Sequence, residues 1–149
     1  MLEKDFDRIK EVFGKEPVET EETFIKGWFK TGDLGKIDKD GYYFLTDRIK
    51  HLIISGGENI SAKEVESVIN GIKGVLESCV VGIPDETWGE KAVALVQKSE
   101  GFELEESKIK SICKEKLHDW KCPKTILFTD HIPKNTMGKV LKGKVKLLF

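Results

Sequence analysis

At 149 residues the chain fits one domain, or one domain with part of another, and it can bury about two thirds of its unfolded surface. Hydrophobic residues make up 39% and charged residues 34%, and 25 Lys and Arg against 26 Asp and Glu leave a formal net charge of -1. That balance excludes a global basic field for nucleic acid and a strongly acidic one, and no apolar run reaches the ~18 residues of a membrane-spanning helix.

Residues 1–13 predict a short amphipathic helix with Phe6, Ile9 and Phe13 on one stripe. Acids there precede any apolar stretch, which argues against a secretory signal and for a cytoplasmic protein. Residues 14–22 are polar, punctuated by Pro17, and read as surface loop. Apolar and aromatic residues return over 24–29, and Lys30-Thr31-Gly32-Asp33 signals another loop. Residues 37–45 predict a hairpin whose Asp40-Gly41 pair makes the turn, with Gly41 at positive φ.

A short strand over 51–54 ends at Ser55-Gly56-Gly57. Ser61 to Glu64 has the capping-box pattern, in which Ser61 accepts from the backbone and Glu64 reaches back. Val65, Val68, Ile69 and Ile72 continue it as a helical stripe that Gly71 or Gly74 ends. Residues 75–83 and 92–96 read as strands, 104–117 as a helix with Ile109, Ile112, Cys113 and Leu117 on one face, and 125–128 as a further strand. A loop over 129–138 precedes a short terminal helix from Val140. From His51 the order β-α-β-β-α-β-loop-α predicts an α+β fold, a small three-stranded sheet with packed helices.

Three cysteines, Cys79, Cys113 and Cys122, have no C-x-x-C spacing, and read as reduced thiols rather than a disulfide frame or metal site. His51, His118 and His131 are too scattered for a zinc site, so no metal ligand set is expected. Charge is uneven along the chain. Residues 1–50 carry ten basic and twelve acidic residues, and 51–119 carry eight and thirteen. From Trp120 onward seven lysines face Asp130 alone, a local +6. Such a tail is usually a solvated face, and its few aromatics argue against a stacking platform for single-stranded nucleic acid.

Three motifs carry possible chemistry. Residues 27–33, GWFKTGD, hold Asp33 in a glycine-flanked loop, where a carboxylate can accept two hydrogen bonds from a ribose diol or serve as a plain turn acid. Residues 46–59, TDRIKHLIISGGEN, place Arg48 and Lys50 on one face of an extended segment. Their glycine pair either lets backbone approach a ligand or makes a turn before the helix. Residues 132–142, IPKNTMGKVLK, present Lys139 near the tip of an exposed loop. A lysine there is either solvated or able to reach charge developing on a carboxylate or phosphate.

Taken together in this order, these motifs with PDETWGEK at 84–91 closely resemble the carboxyl-terminal portion of the AMP-forming acyl-CoA synthetases, in the adenylate-forming superfamily. The resemblance runs from about Gly14 to Phe149. It implies an ATP-dependent acid–thiol ligase, which joins a carboxylic acid to ATP as an acyl-adenylate and then passes the acyl group to CoA. It also implies roles. Asp33 matches the aspartate that binds the adenylate ribose, and Arg48 the arginine that contacts ribose or phosphate. Lys50 falls at the hinge about which the following segment swings as a lid. Lys139 matches the lysine that bridges carboxylate and α-phosphate. Gly56 and Gly57 match the loop facing the pantetheine tunnel, and Trp88 lies on the CoA-facing side or is a packing aromatic. Two departures stand out: Met137 replaces a common Ser or Thr, which removes a hydroxyl from the lysine loop, and Lys142 replaces a common Arg.

The family's phosphate-cradling loop, its adenine- and magnesium-binding segment and its acid pocket do not occur in this sequence. The resemblance therefore implies that residues 1–49 end a large amino-terminal domain and that 50–149 form the lid. ATP and Mg2+ would be held mainly by that amino-terminal adenylation domain, the expected partner, with CoA as co-substrate. The chain alone is expected to be inactive; fatty acids are the expected substrate class. The alternative is a stand-alone binding or regulatory module that complements another chain.

Overall fold

The computed structural model describes residues 24–25 and 28–149. The helix and loop expected over 1–22, and Gly27, lie outside the described residues. The chain divides into two compact units, Met1–Asp33 and Leu34–Phe149.

In the first unit β1 (Phe24–Ile25) pairs antiparallel with β2 (Trp28–Phe29). The KTGD loop follows, with Gly32 at φ 71° and the Asp33 amide donating to Thr31 Oγ1 at 3.1 Å.

From Leu34 on, strands β3 (Asp33–Ile37) and β4 (Tyr43–Arg48) form a two-stranded sheet. Its turn forms as the Asp-Gly pair predicts. Gly41 sits at φ 86°, and Asp38 Oδ1 accepts from the amides of Asp40 and Tyr42. A short 3-10 turn at Ile49–His51 leads to β5 (Leu52–Ser55). Gly56 and Gly57, at φ 60° and 84°, then turn the chain directly into β6 (Glu58–Ser61), which pairs antiparallel with β5. Positive φ at both central residues is the two-residue turn that matches strand twist. Periodicity misses β6 because Ile60 is its one apolar side chain.

Helix α1 (Ala62–Asn70) buries Ala62, Val65 and Ile69 and stops at Gly71. Ser61 Oγ caps it, accepting from the Glu64 amide at 3.2 Å. The reciprocal half of the expected capping box is replaced. Glu64 instead takes both hydrogen bonds of Lys121 Nζ, at 2.7 and 2.8 Å, because a cation is a stronger partner than a neutral amide.

Strands β7 (Val75–Asp85) and β8 (Gly89–Lys98) form one long antiparallel ladder. Helix α2 (Glu106–Lys116) crosses over to β9 (Thr125–Thr129), which lies parallel to β8. The α+β class and its packed helices are as expected, but the sheet has five strands, since the β5–β6 hairpin joins its edge at Ser55 and Gly89.

Both faces of β8 are covered, which explains its continuous apolar run. Ala92, Ala94 and Val96 pack with Val80, Ile126 and the stripes of α1 and α2. Val93 and Leu95 face the other way, against Cys79, Val81, Ile132 and Val145. Val145 belongs to α3 (Lys142–Lys146). The end of the chain is thus the cover of the second sheet face, and its buried anchors hold the Lys139 loop between them. All three thiols are buried, and burial pushes Cys79 and Cys113 up to about 11, so they are inert at neutral pH.

Candidate functional site

The lysine-rich end and the 3-10 turn after β4 meet across a cleft of about 870 Å³ within the second unit. Lys50 and His51 line it from the turn, Glu66 from α1, Glu77 from β7, and Lys139 and Lys142 from the end of the chain. Its two carboxylates are already engaged. Glu66 Oε1 lies 3.4 Å from Lys142 Nζ and accepts from the Val80 amide at 2.8 Å. Glu77 Oε2 lies 2.6 Å from Lys134 Nζ. Among the described residues neither Lys50 nor Lys139 forms an ion pair. Lys144 also lines it without an ion pair among the described residues, so the cleft offers three uncommitted ammonium groups from two distant parts of the chain, a setting suited to an anion.

The Lys139 loop is shaped by its own backbone and by Asn135. Lys134 and Val140 form a bridge at its neck, and the Leu141 amide donates to Pro133 O at 2.8 Å. Asn135 Oδ1 accepts from the amides of Met137 and Lys139, at 3.0 and 2.9 Å. The Met137 side chain is 84% exposed. No hydroxyl at position 137 is needed to close this turn, because the Asn135 side chain takes the Met137 N–H. Sequence reasoning passed over Asn135, although Asn three residues before Gly138 is an Asx-turn signal.

Asp47 directly precedes Arg48 in the chain. Its side chain is 6% exposed and ties the end of β4 to the start of α1. Its carboxylate accepts from Ser61 Oγ at 2.6 Å, Arg48 N at 2.8 Å and Lys63 N at 3.3 Å. Burial pushes the carboxyl up, but hydrogen bonds from Ser61, Arg48 and Lys63 outweigh it and hold Asp47 below its usual value of 3.8. A depressed folded value stabilises the fold above the unfolded value and loses that contribution as pH falls through the folded one. Asp47→Ala is therefore expected to cost about 1–3 kcal/mol at pH 7 and less at pH 3, read by urea unfolding. An equal loss at both pH values would break the assignment.

Arg48 ends β4 with its side chain exposed, and Asp33 closes the first unit. Gly56, Gly57 and Trp88 do not line the Lys139 cleft but come together elsewhere. The Gly56 amide donates to Trp88 O at 2.8 Å, and a Cβ on Gly56 would stand 2.7 Å from Trp88 Cε3. The Ile54 amide also donates to Glu90 Oε2 at 3.0 Å, so the glycine turn is stitched to the β7–β8 turn. In that turn Asp85 Oδ1 accepts from the amides of Thr87 and Trp88, which aims the indole across Gly56. Trp88 stays 53% exposed, so the glycine turn and the indole form one open shelf.

A family model described as the AMP-binding enzyme C-terminal domain matches residues 64–139, from α1 to Lys139 and about half of the chain. The chain belongs to that family. Among relatives of this AMP-binding C-terminal domain, long-chain-fatty-acid–CoA ligase FadD13 of Mycobacterium tuberculosis is 46% identical over 134 residues, 90% of this chain and 26% of that protein. The 2-succinylbenzoate–CoA ligase of Listeria monocytogenes is 43% identical over 127 residues, 85% of this chain and 27% of that one. The structure of ATP-bound MatB from Rhodopseudomonas palustris has a TM-score of 0.83 at 39% identity, covering 90% of this chain and 27% of that one. The chain thus spans about a quarter of the length of these relatives. No helix among the described residues is long and apolar enough to cross a membrane.

Proposed function

We propose that this chain is the carboxyl-terminal lid portion of an AMP-forming acyl-CoA synthetase, together with the last hairpin of its amino-terminal domain, the join lying at residues 49 and 50. The observation that carries the reading is Lys139, an uncommitted ammonium at a cleft edge, on a loop anchored to the sheet by Ile132 and Val145. In the first half-reaction a carboxylate oxygen attacks the α-phosphorus of ATP, and pyrophosphate leaves. Negative charge gathers on the pentavalent phosphorus, and Lys139 stabilises it from a fixed base. Asp33 and Arg48 hold the ribose and phosphate of the nucleotide. The lid then turns about Lys50, and the CoA sulfur attacks the acyl carbon with AMP as leaving group. The bare backbone of Gly56 and Gly57 admits the thin pantetheine arm beside Trp88.

A partner domain supplies the rest. Ile37, Tyr42, Tyr43 and Leu45 of the β3–β4 hairpin are exposed, a cluster of large apolar and aromatic side chains of the kind that marks an interaction surface. The amino-terminal adenylation domain is its occupant and brings the ATP and acid pockets. Mg2+, when bound there, supplies charge neutralisation on the phosphates. Long-chain fatty acids are the substrate class we favour, by the activity of the M. tuberculosis relative, and the cytoplasm the compartment.

Mixing this chain with a separately expressed amino-terminal domain and supplying ATP, CoA and a fatty acid tests the reading. Acyl-CoA is expected only when both parts are present. Pyrophosphate release by this chain alone would refute its dependence on a partner, and a silent mixture would count against the lid assignment.

A further inference from the structure

We propose that Asn135 is the positioning residue for Lys139, resting on the role just given to that lysine. Asn135 engages Lys139 on both sides of its peptide unit. Its side-chain oxygen accepts from the Lys139 amide at 2.9 Å, and its own amide donates to Lys139 O at 2.8 Å. The same Oδ1 accepts from Met137 N, and Asn135 O accepts from Gly138 N at 3.0 Å. Four hydrogen bonds of the tip therefore pass through this one residue.

The anchorage beneath it is firm. Ile132 is fully buried in the second core, the Lys134–Val140 bridge closes the neck, and Leu141 N–H reaches back to Pro133 O. Above Asn135 no other described residue holds the tip. Thr136, Met137 and Gly138 are exposed, and among the described residues no side-chain hydrogen bond comes from them. Gly138 turns through φ 79°, a conformation that glycine adopts freely. Position is thus passed from the core to the neck, from the neck to Asn135, and from Asn135 to the Lys139 backbone.

Removing the Asn135 acceptor leaves two exposed amides that water can satisfy, so fold stability changes little. What changes is the freedom of the Lys139 Cα. A lysine already has four flexible side-chain carbons, and a mobile base adds to that spread. Misplacing a reacting group by ~1 Å costs about 10²-fold in rate. Asn135 therefore acts on Lys139-dependent adenylation and not on acyl transfer to CoA.

Amide hydrogen exchange of the 149-residue chain tests the first part. In Asn135→Ala the Met137 and Lys139 amides are expected to exchange about tenfold faster at an unchanged melting temperature. In Asn135→Asp, whose carboxylate still accepts from both amides, protection is retained. Combined with the amino-terminal domain, Asn135→Ala is expected to lower kcat of adenylation about tenfold with KM for ATP unchanged. Transfer from supplied acyl-adenylate stays at the wild-type rate, and Asn135→Asp restores adenylation. Unchanged exchange in Asn135→Ala, equal loss in both half-reactions, or an Asp variant as impaired as Ala would overturn the proposal. If Lys139→Ala adenylates as fast as wild type, the role given to Lys139 fails instead, and the exchange data still decide whether Asn135 holds its backbone.

Discussion

Lys139→Ala, combined with the amino-terminal domain, is expected to form acyl-adenylate about 10²–10³-fold more slowly than wild type, with transfer from supplied acyl-adenylate to CoA intact. The size follows from removing one preorganised cation from the position where charge develops. The selectivity follows from the fold. Lys139 lines a cleft with Lys50, whereas Gly56, Gly57 and Trp88 form a separate shelf at the β5–β6 and β7–β8 turns. Two separate sites suit the two half-reactions of the proposed function. Lys139 makes no ion pair among the described residues, so its loss should leave the melting temperature unchanged. Lys139→Arg is expected to recover only part of the rate, since a broad planar guanidinium does not replace a point charge. Pyrophosphate exchange for the first step and thioester formation from supplied adenylate for the second are the measurements. An equal fall in both steps would sink the division of labour.

Gly56→Ala is the second large effect. A left-handed conformation costs a non-glycine residue about 1–2 kcal/mol, and φ at Gly56 is 60°. The new methyl would also stand 2.7 Å from Trp88 Cε3, closer than carbon atoms approach. Because the indole is half exposed, it can swing outward, which dismantles the shelf. We expect CoA transfer to fall about tenfold or more while adenylation holds. Gly57→Ala separates the two causes: its φ is 84°, but nothing lies within 4 Å of a Cβ there. That variant should lose stability from backbone strain alone. Trp88→Ala added to Gly56→Ala should recover the part of the stability due to the clash and leave transfer slow. If Gly56→Ala and Gly57→Ala unfold at the same denaturant concentration, the Trp88 contact has no weight.

Much of the fold was legible because hydrophobic period reports local geometry. The stripe of Val65 and Ile69, the cap at Ser61, the Asp-Gly turn at Gly41 and the run from Ala92 to Val96 each point to the element that forms. Strand β6 was not legible, since an edge strand with one buried residue has no alternation to read. Glu64 shows the same limit in a side chain. The local pattern pairs it with its own helix terminus, and a lysine brought by the 3-10 turn after α2 takes it instead.

The site divides in the same way. Contiguous motifs put forward Lys139, Lys50 and the glycine pair, and the family resemblance of those motifs in their order gave each a role, because the pattern is local in the chain. The count of charges also marked the +6 end of the chain as distinct. Only the tertiary structure decided what that end does. Its apolar anchors cover one face of the sheet, which brings Lys139 to the same cleft as Lys50, and the separate pairing of β5 with β8 sets Trp88 against Gly56. It also gave Asp47 its partners Ser61 and Lys63. A hydrogen bond is a matter of about 3 Å, and the packing of the sheet sets those distances between residues far apart in the chain.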